Sequence, residues 1–99
     1  MIVERFKVKC KPEKTEQAMA LFKEIVAASR PLDGVVSFDM GRDIADPDSF
    51  MAIEVFEDRT ALERQELLPV VQKTMGLFGE LLAAEPEATI FHVSSSEPG

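Results

Sequence analysis

Near the start of the chain Arg5, Lys7, Lys9 and Lys11 alternate with the apolar Phe6, Val8 and Cys10. A period of two belongs to a strand with one charged and one apolar face, so residues 2–10 are predicted as the first strand. Pro12 ends it. From Glu13 to Ser29 the period lengthens: Ala18, Leu21, Phe22, Ile25 and Ala28 recur at three-and-four spacing, one face of a helix. Arg30-Pro31 closes that helix, because the residue before a proline is pushed out of the α region. A Pro-Leu-Asp-Gly34 turn leads into a second strand, in which Val36, Phe38 and Met40 alternate with Ser37, Asp39 and Gly41. Asp43 to Ser49 is dense in turn formers and predicts a hairpin connection. Phe50 to Phe56 then reads as a third strand, with Met51, Ile53 and Val55 on one side and Ala52, Glu54 and Phe56 on the other.

Asp58 is placed to cap a short helix running through Glu66, and Pro69 to start another, since proline is tolerated in a first helical turn. In that last helix Val71, Met75, Phe78 and Leu82 face inward by spacing. Gly76 and Gly79 lie inside it and each costs about 1 kcal/mol relative to alanine. Either the helix packs tightly on the sheet there, or missing side chains leave a pocket wall open. Residues 88–94 predict a fourth strand, and Ser-Ser-Glu-Pro-Gly at the end of the chain predicts a flexible tail at 96–99 after a single domain over 1–95.

The order β-α-β-β-α-α-β, without repeat or linker, predicts an α+β fold of the ferredoxin-like split β-α-β type, a four-stranded antiparallel sheet with helices on one face. Phe6, Val8, Phe38, Met40, Ile53 and Val55 are assigned to the helix side. In this topology strands one and three are neighbours, which allows Lys7 and Glu54 to pair across the ladder on the face away from the helices. Ala52 and Phe56 are assigned to that same face, making it partly apolar and partly charged. Such a face predicts contact with another sheet, most simply that of a second copy of the chain.

Charge adds a second layer. The 99 residues carry 18 acidic and 11 basic side chains, a net charge of −7 with a pI near 4.6. Nucleic-acid and membrane-surface partners are disfavoured, because both are held by clustered Lys and Arg. The apolar runs fall short of the roughly 20 residues that span a bilayer, and the charged Met1-Ile-Val-Glu-Arg5 start lacks the apolar core of a signal peptide, so cytoplasmic residence is expected. Cys10 is alone, which excludes an internal disulfide and thiolate-rich metal sites. With no Trp, no Tyr and one His, the stock of catalytic acids and bases is short. Met19, Met40, Met51 and Met75 follow helix and strand periods and read as core filler. Asp43, Asp46 and Asp48 lack the ligand pattern of a calcium loop and read as a solvated turn.

Three segments carry a resemblance: Ser29-Arg-Pro-Leu-Asp-Gly34-Val-Val-Ser-Phe38, then Arg42-Asp-Ile-Ala-Asp46-Pro-Asp-Ser-Phe50, then Glu54-Val-Phe56-Glu-Asp-Arg-Thr-Ala61-Leu62. In order and spacing they resemble the antibiotic biosynthesis monooxygenase (ABM) domain family over nearly the whole chain. That resemblance implies a homodimer whose sheets pack face to face as a dimeric α/β barrel. It also implies cofactor-free oxidation of phenols or quinols with dioxygen, although other members degrade haem or act on autoinducer-type molecules. Gln65 and Val70 occupy positions where the family commonly has histidine, Phe38 one where it has tyrosine, and Phe56 one where it has tryptophan.

Cofactor-free oxygenation needs a base to generate the electron-rich substrate anion. The available bases are His92, on the last strand with Ile90 and Ser94, and Glu54. Haem chemistry would call on His92 as the axial ligand. His92 also has a structural role open to it beside the dimer contact. Glu54 is either a substrate-orienting carboxylate or the partner of Lys7, and Gln65 either faces the pocket or water. The expected pocket, for a small aromatic ligand, lies between sheet and helices and is bounded by Phe38, Met40, Gln65, Val70 and Phe78. Two functions follow: a cofactor-independent monooxygenase, with no cofactor expected, or a non-catalytic small-molecule-binding homodimer of the same fold.

Overall fold

A computed structural model describes residues 1–99 as β1 (Ile2–Lys9), α1 (Thr15–Ser29), β2 (Val35–Asp43), β3 (Asp46–Phe56), α2 (Arg59–Glu66), α3 (Pro69–Gly76), α4 (Phe78–Leu81) and β4 (Glu87–His92), with one 3-10 turn at Pro12–Lys14. The sheet order is β2-β3-β1-β4, and every neighbouring pair is antiparallel. This is the ferredoxin-like α+β arrangement that the element order predicts. No helix is long and apolar enough to cross a membrane.

Most local signals act as expected; Arg30 is the exception, since it keeps helical angles (φ −55°, ψ −39°) and its N–H still donates to the Val26 carbonyl, so α1 closes beyond Arg30 and not through an extended pre-proline residue. Asp58 accepts a hydrogen bond from the Ala61 N–H at 2.9 Å and caps α2, and Pro69 opens α3. Gly34 has φ +83°, in the left-handed region. A Cβ built on it would stand 2.5 Å from the Ala61 Cβ, so the turn before β2 rests directly on α2. The β2–β3 turn is tighter than the run of turn formers suggests: β2 continues to Asp43, β3 resumes at Asp46, and only Ile44 and Ala45 lie between. Pro47 falls in the irregularity separating the Arg42–Phe50 and Asp43–Asp46 pairs, where a missing N–H breaks no regular ladder. The three aspartates knit this hairpin together. Asp43 accepts from the Ala45 N–H at 2.8 Å, Asp46 from the Ser49 hydroxyl at 2.7 Å, and Asp48 from the Thr15 hydroxyl at 2.8 Å.

The register corrects the assignment of faces. Directly opposed residues share a face, and the rows toward the helices are Val35-Phe56-Ile2-His92, Phe38-Glu54-Glu4-Ile90, Met40-Ala52-Phe6-Ala88 and Arg42-Phe50-Val8. Ile53 and Val55 therefore lie on the open face, and Ala52, Glu54 and Phe56 on the helix face, the reverse of the sequence assignment. Glu54 stands opposite Glu4, and Lys7 opposite Met51, so the expected Lys7–Glu54 pair does not form. Lys7 lies 4.0 Å from Asp43 instead. A register shift at Val36 puts Val35 on the helix side, and Val36 is exposed.

The apolar core forms in two parts. One gathers Val8, Ala18, Leu21, Phe22, Phe50 and Leu81 beneath α1 and α4; the other gathers Ile2, Phe56, Ala61 and Leu62 beneath α2. The rows containing Ala52-Phe6 and Glu54-Glu4 run between them. The last helical stretch is broken in two, α3 ending at Gly76 and α4 beginning at Phe78. A Cβ at Gly76 or Gly79 would meet nothing within 4 Å, so no close approach explains these glycines.

Candidate functional site

Between the two parts of the core, the helix face of the sheet is the floor of a half-open cleft with a cavity volume of about 120 Å³. Its floor is Glu4 and Phe6 of β1, Phe38 and Met40 of β2, and Ala52 and Glu54 of β3. Phe22 and Ile25 of α1 form one wall. Gln65 and Glu66 of α2, Val71, Thr74 and Met75 of α3, and Phe78 close the other side. Alternation in the strands and three-and-four spacing in the helices bring these side chains to one space. The lining is mainly apolar and contains no Lys, Arg or His.

Glu54 is the unusual group. It is 7 % exposed, makes no hydrogen bond or ion pair within the protein, and faces its like-charged cross-strand neighbour Glu4. Like charges directly opposed in a sheet are unfavourable. Burial, reinforced by the charges of Glu4 and Glu66, pushes the Glu54 carboxyl up to about 8. Glu4 is raised too, by burial first and Glu66 second, against the lowering influence of Arg59. A carboxyl of this kind can exchange a proton near neutral pH, whereas an ordinary glutamate remains ionised there.

The polar groups around it are tied to the scaffold. The Gln65 side-chain amide donates to the Ser29 hydroxyl at 3.0 Å, joining α2 to the end of α1. The Thr74 hydroxyl donates to the Val70 carbonyl at 2.7 Å. Met75, half-exposed, sits in the lining rather than in the sealed core.

Of the residues singled out from sequence, Glu54, Phe38, Met40, Gln65 and Phe78 come together in this cleft. Val70 does not line it, because α3 turns Val71, Thr74 and Met75 inward instead. His92 does not line it either: it stands opposite Ile2 on the edge strand β4 and is exposed. Glu4 and Glu66 went unnoticed as site residues. The signal for Glu4 was present, since it shares the parity of Phe6 and Val8, which places a carboxylate on the buried face.

Topology and site together define a ferredoxin-like α+β domain with a carboxyl-bearing apolar cleft between sheet and helices. Residues 1–75 match the model of the antibiotic biosynthesis monooxygenase family, and the chain belongs to that family. Solved structures share the fold at low identity. A crystal structure of an antibiotic biosynthesis monooxygenase superposes with a TM-score of 0.87 at 21% identity, covering 96% of this chain and 100% of that one. The Mycobacterium tuberculosis protein Rv0793 gives 0.89 at 18% identity with 98% of each chain covered. The Pseudomonas aeruginosa protein PA3566 gives 0.86 at 21% identity, covering 95% of this chain and 94% of that one. A curated relative, an uncharacterized Synechocystis protein, is 28% identical over 90 residues, which are 91% of this chain. The match covers 61% of that relative's length.

Proposed function

We propose that the protein is a cofactor-independent monooxygenase that oxidises a small aromatic substrate, a quinol or phenol, with dioxygen in the cleft between sheet and helices, and that Glu54 is its base. The observation that carries this reading is Glu54, a buried residue whose unpartnered carboxyl oxygens reach an aromatic-lined cleft and whose pKa is pushed up to about 8. A phenolic hydroxyl titrates near 10, so transfer of its proton to an ordinary glutamate is uphill by roughly 7 kcal/mol, and to Glu54 by about 3. The resulting anion is the reductant. It transfers electron density to O2, a C–O bond forms at the ring, and O–O cleavage with loss of the ring proton releases water and leaves a quinone. Phenol plus O2 then balances as quinone plus H2O without another electron donor. The side chains of Phe6, Phe38 and Phe78 give the ring apolar walls and exclude water.

The same reading includes a homodimer. The open sheet face has rows Ser37-Val55-Val3-Phe91, Asp39-Ile53-Arg5-Thr89 and Gly41-Met51-Lys7-Glu87. Ile53 is 43% and Phe91 47% exposed at its centre and edge, flanked by both signs of charge. An apolar patch rimmed by complementary charges suits a two-fold contact with a second copy.

Oxygen uptake by the purified protein with a panel of quinols and phenolic polycycles, set against an enzyme-free control for autoxidation, tests the activity. Saturable uptake above the control is expected. Ligand binding with uptake no faster than the control would leave a binding module and refute the enzyme.

A further inference from the structure

The cleft gathers charge of one sign. Its three ionisable residues are all carboxylic: Glu4 on β1, Glu54 on β3 and Glu66 on α2. These lie close enough that Glu4 and Glu66 both act electrostatically on Glu54, and Glu66 on Glu4. Glu54 is more than nine-tenths buried, lines the cleft and has no partner within the protein. Arg59, which acts on Glu4 from the first turn of α2, does not line the cleft. The remaining lining includes Phe6, Phe22, Phe38 and Phe78, apolar rings that offer no positive charge to an anion.

Resting on the assignment of this cleft as the substrate site, we propose that it selects ligands by charge: it accepts aromatic molecules bearing hydroxyl or ammonium donors and rejects those bearing a carboxylate or sulfonate. The carboxyl groups accept hydrogen bonds from such donors, and no cationic group is available to pair with an anionic substituent. An amine-bearing diphenol satisfies both the carboxyl end and the aromatic walls. A bound ammonium also favours the ionised form of Glu54, so its binding at pH 7 releases protons.

The test uses three catechols that differ in one substituent: dopamine, 4-ethylcatechol and 3,4-dihydroxyphenylacetate, each titrated anaerobically into the purified protein. The methyl resonances of Ile25, Met40, Val71 and Met75 report occupancy of the cleft itself. Dopamine is expected to bind tighter than dihydroxyphenylacetate by about tenfold or more, with ethylcatechol between them. In the Glu4→Gln/Glu66→Gln double variant that ratio moves toward one. Equal or tighter binding of the acid, with the same resonances moving, overturns charge selection and leaves the cleft as the site. An unchanged ratio in the double variant overturns it as well. Failure of all three catechols to move these resonances overturns the site assignment together with the selection built on it.

Discussion

Glu54→Gln isolates the ionisation of one buried carboxyl. The folded protein holds the Glu54 proton until about pH 8, while the unfolded chain releases it near the ordinary value of 4.5. Between those limits the native state binds more protons than the unfolded state, so stability falls as pH rises. It is full below pH 4.5, declines through the interval and levels out above 8. The difference of about 3.5 pH units corresponds to roughly 5 kcal/mol, a third or more of the stability of an ordinary small domain. Glutamine keeps the shape and removes the charge. The assay is urea unfolding of both proteins from pH 4 to pH 9, read as the difference between them so that other titrations cancel. Near pH 4 the two differ little; at pH 9 the glutamine variant is more stable by about 3–5 kcal/mol. Added salt trims the part due to Glu4 and Glu66 and leaves the desolvation part. A difference that does not change between pH 5 and pH 9 would show that Glu54 titrates as an exposed carboxylate, and the proposed base would be lost with it.

Other consequences are open to direct measurement. Gly34→Ala forces a side chain into a left-handed turn and against the Ala61 Cβ, and is expected to lose about 2–4 kcal/mol in thermal or urea unfolding. His92→Ala is expected to leave both stability and oxygen uptake within error of the parent, since His92 is exposed on β4 and outside the cleft. Ile53→Glu places a charge in the middle of the open sheet face and is expected to shift the proposed dimer toward monomer in light scattering at micromolar concentration, with the fold retained in circular dichroism.

Element order was legible because each segment carries its own period and punctuation. The Pro12 break, the Asp58 cap and the Pro69 start act locally and need no tertiary information, whereas Arg30 stays helical despite the proline after it. The faces of β3 were not legible. Alternation separates Met51, Ile53 and Val55 from Ala52, Glu54 and Phe56, yet both sets contain apolar residues, and alternation has no sign. The larger aliphatics favoured the wrong side. What decides the matter is pairing with β1, which seats Phe56 beside Ile2 and Ala52 beside Phe6 under the helices, and carries Glu54 inward with them. The price of that register is a buried carboxyl, and a burial of that kind contradicts local preference, as functional positions often do.

A cleft between sheet and helices was legible, and with it part of the lining, because Phe38, Met40 and Phe78 are apolar positions on predicted inward faces. Its polar end was legible only in part: Glu54 and Gln65 were named, but Glu4 and Glu66 were not, since Glu4, Glu54 and Glu66 come from three separate elements and converge only through the register and the docking of α2. The turn at residues 43–49 was overextended for a related reason: Asp46 and Ser49 bond each other within the strand, so residues typical of loops stabilise the start of β3.

In the proposed reaction Glu54 takes a proton from an aromatic substrate that then reacts with dioxygen. The most direct test is kcat/KM for oxygen-consuming turnover as a function of pH, measured for the parent and for Glu54→Gln. Expected are a tenfold rise per pH unit that bends to a plateau near pH 8 in the parent, and a loss of about a hundredfold or more on the plateau in the variant. Equal rates with one profile set by the ionisation of the substrate would contradict this role for Glu54, and would mean that the cleft holds the aromatic ring without supplying the base.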